Sequence, residues 1–580
     1  MDTVGSGCMS CSIPGMEDAG CIFLFGYNPA DSHPIVARRI VRAKEKGCKI
    51  IVADPRHIET ARIADLYLPI KNGCNVAFLN AFANCLVNDG LYDKEFVAEH
   101  TNGFDEWWET IKNYTPESVR DITGVEPALI HQAAEMYATA KPSAIIGWGM
   151  GVCQQKQNLK TVHTIASIAC VAGQIGKPNS GLAPVRGQNN VQGSCDMGML
   201  PNLYPGYQKV TDPAVRAKFA KAWGVPEEKL PLEEGYKLTD LGHLVEEGKV
   251  HCFYNYGEDP VQTEPDSAGI RKTLSELDLF ICQDIFMTQT TMLADVILPA
   301  TSWGEHEGVF TASDRSFQHF DAAVPPKGEC RHDWEIFADL STRMGYPMHY
   351  DNTEQIWNEC ISLCPNFVGA TYEKMAPEGG YAQWPVKSTD VNDHGTPDMF
   401  AGGKFTTKDG RANLMAHDWE APSELPDDEY PLILCTVREV GHYSCRSMTG
   451  NCKTLALLAD EPGFVRMNPA DAQARGIKNG DIVSIHSRRG QVYSRADVSD
   501  RINKGTVYMT YQWWIGKCNE LTIHKVDPVS HTPEDKFSAC QVDAIADQVW
   551  AEGEVERQYT ELKLPRTLSL APPSSTTRCT

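Results

Sequence analysis

Two stretches of this chain repeat one another at a spacing that leaves few folds open. Ala64-Asp-Leu-Tyr-Leu-Pro69 returns as Ala294-Asp-Val-Ile-Leu-Pro299. The polar residues ahead of each copy keep step: Asp54 and Asp65 follow Asn28 by 26 and 37 positions, and Asp284 and Asp295 follow Asp259 by 25 and 36. In the first copy the short apolar run Cys21-Ile-Phe-Leu-Phe25 ends at Gly26-Tyr-Asn-Pro-Ala-Asp31. A helix pattern follows (Ile35, Val36, Ile40, Val41), closed by Gly47, and then a second strand, Lys49-Ile-Ile-Val52. The second copy has Phe253-Tyr-Asn-Tyr256 leading into Gly257-Glu-Asp-Pro260, then Leu277 to Cys282. These are β-α-β units whose polar groups sit at the carboxyl ends of the strands, where open α/β sheets bind ligands. Two matched sets of strand ends imply two similar nucleotide sites, or an old duplication in which only one copy still binds. A Gly-x-Gly-x-x-Gly turn is absent, so an ordinary dinucleotide fingerprint is not supported.

Length and charge narrow the partners. The 580 residues correspond to three or four domains of ordinary size, and a formal net charge of -23 argues against nucleic acid. No apolar run approaches the ~20 residues that span a bilayer, and no signal-peptide pattern opens the sequence. Twenty cysteines scattered singly fit reduced thiols in the cytoplasm better than a disulfide framework. From Tyr430 onward strands alternate with turns: Leu432 to Cys435, Asp481 to Ile485, Gly490 to Tyr493 and Gly505 to Met509, with turn signals at Gly476, Asn479-Gly480 and Asn503-Lys-Gly505. That pattern predicts a β-barrel-like domain.

Between the two copies lies Pro184-Val-Arg-Gly-Gln-Asn-Asn-Val-Gln-Gly-Ser-Cys-Asp-Met-Gly198, with neither helical nor strand periodicity. Its one arginine, Arg186, offers a planar fork of donors beside Gln188, Asn189, Asn190 and Gln192, and its glycines let backbone come close to a ligand. Such a loop suits a small planar anion beside a large polar heterocycle. Trp303-Gly-Glu-His-Glu-Gly308 lacks the second helix-spaced histidine of a zinc motif, and Cys8-Met-Ser-Cys11 has no second cysteine pair near it. Neither is read as a metal site.

The longer runs carry a resemblance: Gly26 to Pro34, Pro184 to Gly198, Trp303 to Phe310, Thr436 to Asn451 and Tyr508 to Ile515. On these the chain, from about residue 3 to about 565, resembles the catalytic subunits of selenocysteine-type, molybdopterin-dependent formate dehydrogenases. The resemblance implies an α/β fold of two related doubly wound domains capped by a carboxy-terminal β-barrel. The expected order is a first dinucleotide domain over 1–185, a second, incomplete one over 186–300, a connecting region over 301–425, the barrel over 426–565 and a disordered tail over 566–580.

It also implies molybdenum or tungsten held between two molybdopterin guanine dinucleotides. One would lie along Asn28, Asp31, Asp54, Arg56, Gly73 and Asn75; Asp259, Thr263, Gln283 and Asp333 would hold the other. Met150, Gln154, Gln188, Arg438, Glu439, His442, Ser444, Tyr511 and Lys536 would line the pterins and phosphates, while Ala300 stands where a serine is expected. Arg186 matches the family's substrate arginine, a cation that fixes a one-carbon carboxylate bidentately. Formate, carbon dioxide, an iron–sulfur electron-transfer subunit and a hydrogenase are the implied partners. In the family a domain with a four-iron cluster on four cysteines, and then the selenocysteine or cysteine that ligates the metal, precede the point that matches Met1. The expectation is therefore a chain read from just after a selenocysteine codon, a catalytic portion that is inactive by itself. Two other readings stay open: a redox-inactive fragment that binds pterin dinucleotides, and a non-catalytic relative within a respiratory complex.

Overall fold

The computed structural model describes residues 1–456 and 461–562; the tail expected over 566–580 lies outside them. Two compact units emerge. One comprises Met1–Gly187, Pro260–Ile270 and the described residues from Asp398 onward; the other comprises Gln188–Asp259 and Arg271–Pro397. These units are not the consecutive segments expected from the sequence. The stretch expected to be a separate connector divides at Pro397, and the Pro260–Ile270 segment packs with the barrel, where Lys517 Nζ donates to the Val261 carbonyl (2.8 Å).

In the first unit, strands β1 (Cys21–Phe25), β2 (Lys49–Ala53), β3 (Leu66–Leu68), β4 (Ala144–Trp148) and β5 (Gly181–Pro184) form one sheet in the order β3-β2-β1-β4-β5, every neighbour parallel. Both faces are covered, which is why these strands read as unbroken apolar runs. Ile22 and Leu24 share a buried cluster with Val36, Ile40 and Ala43 of helix α1 (Pro34–Glu45). On the other face Phe23 and Phe25 stack on Phe82 and Phe78 of helix α2 (Asn75–Asn88), with ring centroids 5.4 and 5.6 Å apart. Helix α3 (Pro127–Ala138) packs beside α2 and brings Tyr137 onto Phe82.

The second unit holds β6 (Cys252–Tyr256), β7 (Leu279–Asp284) and β8 (Val296–Pro299), parallel and in the order β8-β7-β6. The sequence repeat is a repeat of hydrogen bonds as well. Gly26 N donates to Ala53 O and Gly257 N to Gln283 O, each at 2.9 Å. The Asp65 carboxylate accepts from Ile50 N (2.9 Å) while Asp65 N donates to Ile50 O (2.8 Å). Asp295 does the same with Phe280, at 2.7 and 2.8 Å. The aspartate of each Ala-Asp motif therefore fastens the entry of one strand to its neighbour.

The carboxy-terminal part of the first unit is a closed barrel. Its strands are β9 (Leu432–Val437), β10 (Phe464–Met467), β11 (Ile482–His486), β12 (Gln491–Val498), β13 (Thr506–Thr510) and β14 (Ser538–Ala544), in the order β9-β13-β10-β12-β11-β14. Leu434, Val465, Val483, Ile485, Val507 and Met509 fill it. The barrel meets the first sheet through a bridge between Arg56 and Ile502 and through His57 N, which donates to Arg501 O (2.8 Å). Cys8 and Cys11 are buried, Cys8 aiming its thiol at Met399 Sδ (3.8 Å). Among the described residues no helix is long and apolar enough to cross a membrane.

A histidine pair, with His163 buried and His417 partly so, gives this unit a pH dependence. His163, on helix α4 (Asn158–Val171), has Nδ1 2.9 Å from His417 Nε2 and Nε2 3.1 Å from Asp2 Oδ2. Burial, reinforced by His163 and Lys160, pushes His417 down to about 4. An unfolded histidine titrates near ~6.5, so between about pH 4 and ~6.5 the unfolded chain binds more protons. The stability contributed by neutral His417 is complete above that window and is lost as pH falls through it. The midpoint of thermal unfolding should drop between pH 6.5 and pH 4, with a shallower drop in His417→Gln. An identical slope in the variant would show that another group carries the effect.

Candidate cofactor cleft

The carboxyl ends of β1, β2 and β4 open onto a cleft with about 1390 Å³ of atom-free space, part of it open to solvent. Its floor is backbone. Gly26 adopts φ +55°, and a Cβ on Gly151 would sit 2.5 Å from the Gly26 carbonyl oxygen, so neither turn tolerates a side chain. One wall comes from the loop after β1. Asn28 Nδ2 donates to Asp31 Oδ2 (2.6 Å), and His33 Nε2 donates to the Arg186 carbonyl (2.6 Å), tying this loop to the end of β5. Burial holds His33 below its ordinary range, so the ring is neutral near pH 7.

At the end of β2, the buried Asp54 carboxylate accepts from Arg56 N (2.9 Å), and the Arg56 guanidinium lies over the Tyr508 ring (5.4 Å). Burial pushes the Asp54 carboxyl up, against the pull of Arg56. The barrel supplies the opposite wall. Lys536 Nζ donates to the Thr436 carbonyl (2.6 Å), and Gln154 Nε2 donates to Asp535 Oδ2 (2.7 Å). Its other oxygen meets no partner among the described residues, and burial pushes Asp535 up to about 6. Arg438 stands over Tyr511 (5.5 Å). Gln512 binds the loop above at two points, accepting from Glu439 N (2.5 Å) and donating to the His442 carbonyl (2.8 Å).

Of the residues expected to contact a dinucleotide, Asn28, Asp31, Asp54, Arg56, Asn75, Met150, Gln154, Arg438, Glu439, His442, Ser444, Tyr511 and Lys536 line this one cleft. Gly73 does not. It has φ +80°, packs against Pro422 and Phe537, and gives its carbonyl to Trp419 Nε1 (2.9 Å). Val185 and Gly187 line the cleft, and Arg186 between them is half-buried, its guanidinium close enough to the Cys153 thiol to oppose the rise that burial imposes there.

Tyr27, His33, Lys71, Asn72 and Tyr508 also line the cleft, without having been among the expected contacts. Lys71-Asn72 could have been found as the polar pair that follows Leu68-Pro69 at a strand end. Tyr508 offered no such signal inside an apolar strand.

The remaining expected residues sit elsewhere. Thr263 gives its carbonyl to Asn519 Nδ2 (2.7 Å) in the first unit. Gln188, Asp259, Gln283 and Asp333 belong to the second unit. There Gln283 accepts from Tyr254 Oη (2.5 Å) and donates to Asp333 Oδ1 (2.6 Å), and Asp259 accepts from Thr290 Oγ1 (2.6 Å). Ala300 is buried in that unit, bridged to Arg331.

The cleft brings together Arg56, Lys71, Arg438 and Lys536 with Asp31, Asp54 and Glu439. Tyr27 Oη, Asn28 Oδ1 and Asn75 Nδ2 on its walls are buried and meet no hydrogen-bond partner among the described residues. Cations for phosphates, carboxylates for a base or ribose, and orphaned donors and acceptors are what a dinucleotide requires.

The family profile described as molybdopterin oxidoreductase matches residues 1–343, and that of the molybdopterin dinucleotide binding domain matches residues 432–539. The chain belongs to the molybdopterin oxidoreductase family. Its barrel thus matches the family's dinucleotide-binding domain, and the donor set of the cleft fits a molybdopterin cofactor. Among similar members, formate dehydrogenase H of Escherichia coli (strain K12) is 55% identical over 561 residues, covering 97% of this chain and 78% of that protein. The F420-dependent formate dehydrogenase 1 subunit alpha of Methanococcus maripaludis is 41% identical over 544 residues, covering 93% and 79%. Among solved structures, acetylene hydratase from Pelobacter acetylenicus shares the fold, with a TM-score of 0.73 at 20% identity over 94% of this chain and 80% of that one.

Proposed function

We propose that this molybdopterin oxidoreductase is the catalytic subunit of a formate dehydrogenase, which converts formate to carbon dioxide, a proton and two electrons. The observation that carries the reading is the cleft itself, with its mixed charges and orphaned polar atoms, in a chain similar along most of its length to formate dehydrogenases. Asn28, Asp31, Asp54 and Asn75 bind one guanine dinucleotide, with Arg56 and Lys536 on its phosphates. Asp259, Gln283 and Asp333 bind the second. Arg438, Glu439, His442, Ser444 and Tyr511 hold the pterin side from the barrel. When bound, the metal–pterin group, with molybdenum or tungsten, accepts the two electrons. Arg186 orients formate through its two-pronged guanidinium, and the glycine floor keeps backbone close to the ligand. An iron–sulfur protein in the cytoplasm receives the electrons.

Acid release of nucleotide from the purified holoprotein tests the assignment. Two GMP per molybdenum or tungsten, together with formate-dependent reduction of a viologen dye, are expected. Nucleotide without dye reduction would turn the reading into that of a redox-inactive binding protein. Absence of guanine nucleotide would end it.

A further inference from the structure

Cys85, Asp89 and His131 offer three different ligand atoms, a thiol sulfur, a carboxylate oxygen and an imidazole nitrogen, all within 4.8 Å of one another. Two helices place them. Cys85 lies in the last turn of α2 and Asp89 caps its carboxyl end, Asp89 N donating to Cys85 O (2.9 Å), so both side chains stack on one face. His131 comes from the adjoining helix α3 and sets Nδ1 2.5 Å from Asp89 Oδ2. The sulfur is fully buried while Asp89 and His131 are about one-third exposed, so the group has a dry side and an open side. The negative end of α2 points the same way, and Glu117 adds a further charge near the sulfur. Burial and these negative charges keep the Cys85 thiol neutral in the absence of a cation, and the same negative surroundings attract one.

We propose that Cys85, Asp89 and His131 form a binding site for a divalent cation of the zinc class, with its fourth position open to water. Sulfur, nitrogen and oxygen together suit a borderline-soft ion and disfavour magnesium and calcium, which take oxygen alone. Metal–ligand bonds of about 2.0–2.3 Å put tetrahedral ligands roughly 3.4 Å apart. The partly exposed Asp89 and His131 reach that spacing by rotation, exchanging their mutual hydrogen bond for two bonds to the metal. Cys85 gives up its proton to solvent as its sulfur binds, so affinity rises with pH. Asn75 at the other end of α2 lines the cofactor cleft, ten residues and ~15 Å of helix away. The ion therefore pins α2 to α3 behind the cleft and takes no part in the chemistry there.

Cobalt(II) serves as the probe, added to the purified holoprotein after EDTA treatment and dialysis. One equivalent should bind and give a thiolate-to-cobalt charge-transfer band in the near ultraviolet, displaced by zinc(II) and unaffected by magnesium. Cys85→Ser should abolish the band. His131→Gln, on the half-exposed face where folding is not at risk, should weaken binding ~10-fold or more, since losing a ligand costs at least as much as losing the partner of one. A band of full intensity in Cys85→Ser would mean that another cysteine binds the metal. Unchanged affinity in His131→Gln would equally overturn the site, whether or not Cys85→Ser folds.

Discussion

Replacement of Arg446 by methionine is expected to destabilise the barrel by about 3–5 kcal/mol, because it removes the cation paired with a buried carboxylate. The Arg446 and Glu461 side chains are 1% and 4% exposed and meet at 2.8 Å. The guanidinium lies against both Trp513 (5.3 Å) and Trp514 (4.9 Å). Glu461 in turn accepts from the backbone of Trp514 and Ile515, each at 3.0 Å. The pair is therefore a knot between the loop that carries His442 and Ser444 and the segment that follows β13. Urea denaturation of the single variants and of Arg446→Met/Glu461→Gln would measure it. The double variant should lose less than the sum of its parts, since removing both charges leaves no orphan. Additive losses would mean that the two side chains act separately. Slackening of this loop should also lower the guanine nucleotide content of the purified protein.

The second large effect is on turnover. Arg186→Leu should lower kcat/KM for formate ~100-fold or more, about 2.7 kcal/mol of lost binding in the transition state. Arg186→Lys keeps the charge but loses the planar fork, and should fall between the variant and the parent. Proximity puts Arg186 at the substrate: Val185 and Gly187 face the cleft, and His33 fixes the carbonyl of Arg186 between them. Added guanidinium should partly restore Arg186→Leu while leaving the parent unchanged. If Arg186→Leu stayed within a few-fold of the parent with full cofactor content, the substrate would have to be held by another group.

Strand ends were the part of this molecule most open to sequence reasoning. A buried parallel strand is an apolar run with a sharp polar stop, so Asn28 and Asp54 could be read from where the apolar pattern breaks, whereas Gln154 follows the helical turn Met150–Cys153 and came only with the family resemblance. Barrel strands were harder. Ser538–Ala544 carries few β-branched residues and Phe464–Met467 is only four long, so neither announced itself, although both pair on two sides. Gly73 and Asn75 are near neighbours in sequence yet differ in role, because α2 starts between them and turns Asn75 into the cleft while Trp419 holds Gly73 outside it. Tyr508 and His33 reach the cleft through tertiary packing, which no local pattern encodes. The division of the chain at Pro397, too, depends on long-range contacts.

The twin Ala-Asp motifs carry a lesson about reading ancestry. Asp65 and Asp295 each grip the amide of a neighbouring strand, and that duty exists whether or not anything is ever bound nearby. A doubled word in such a protein records how its scaffolding was copied, and says nothing by itself about how many guests the scaffold receives.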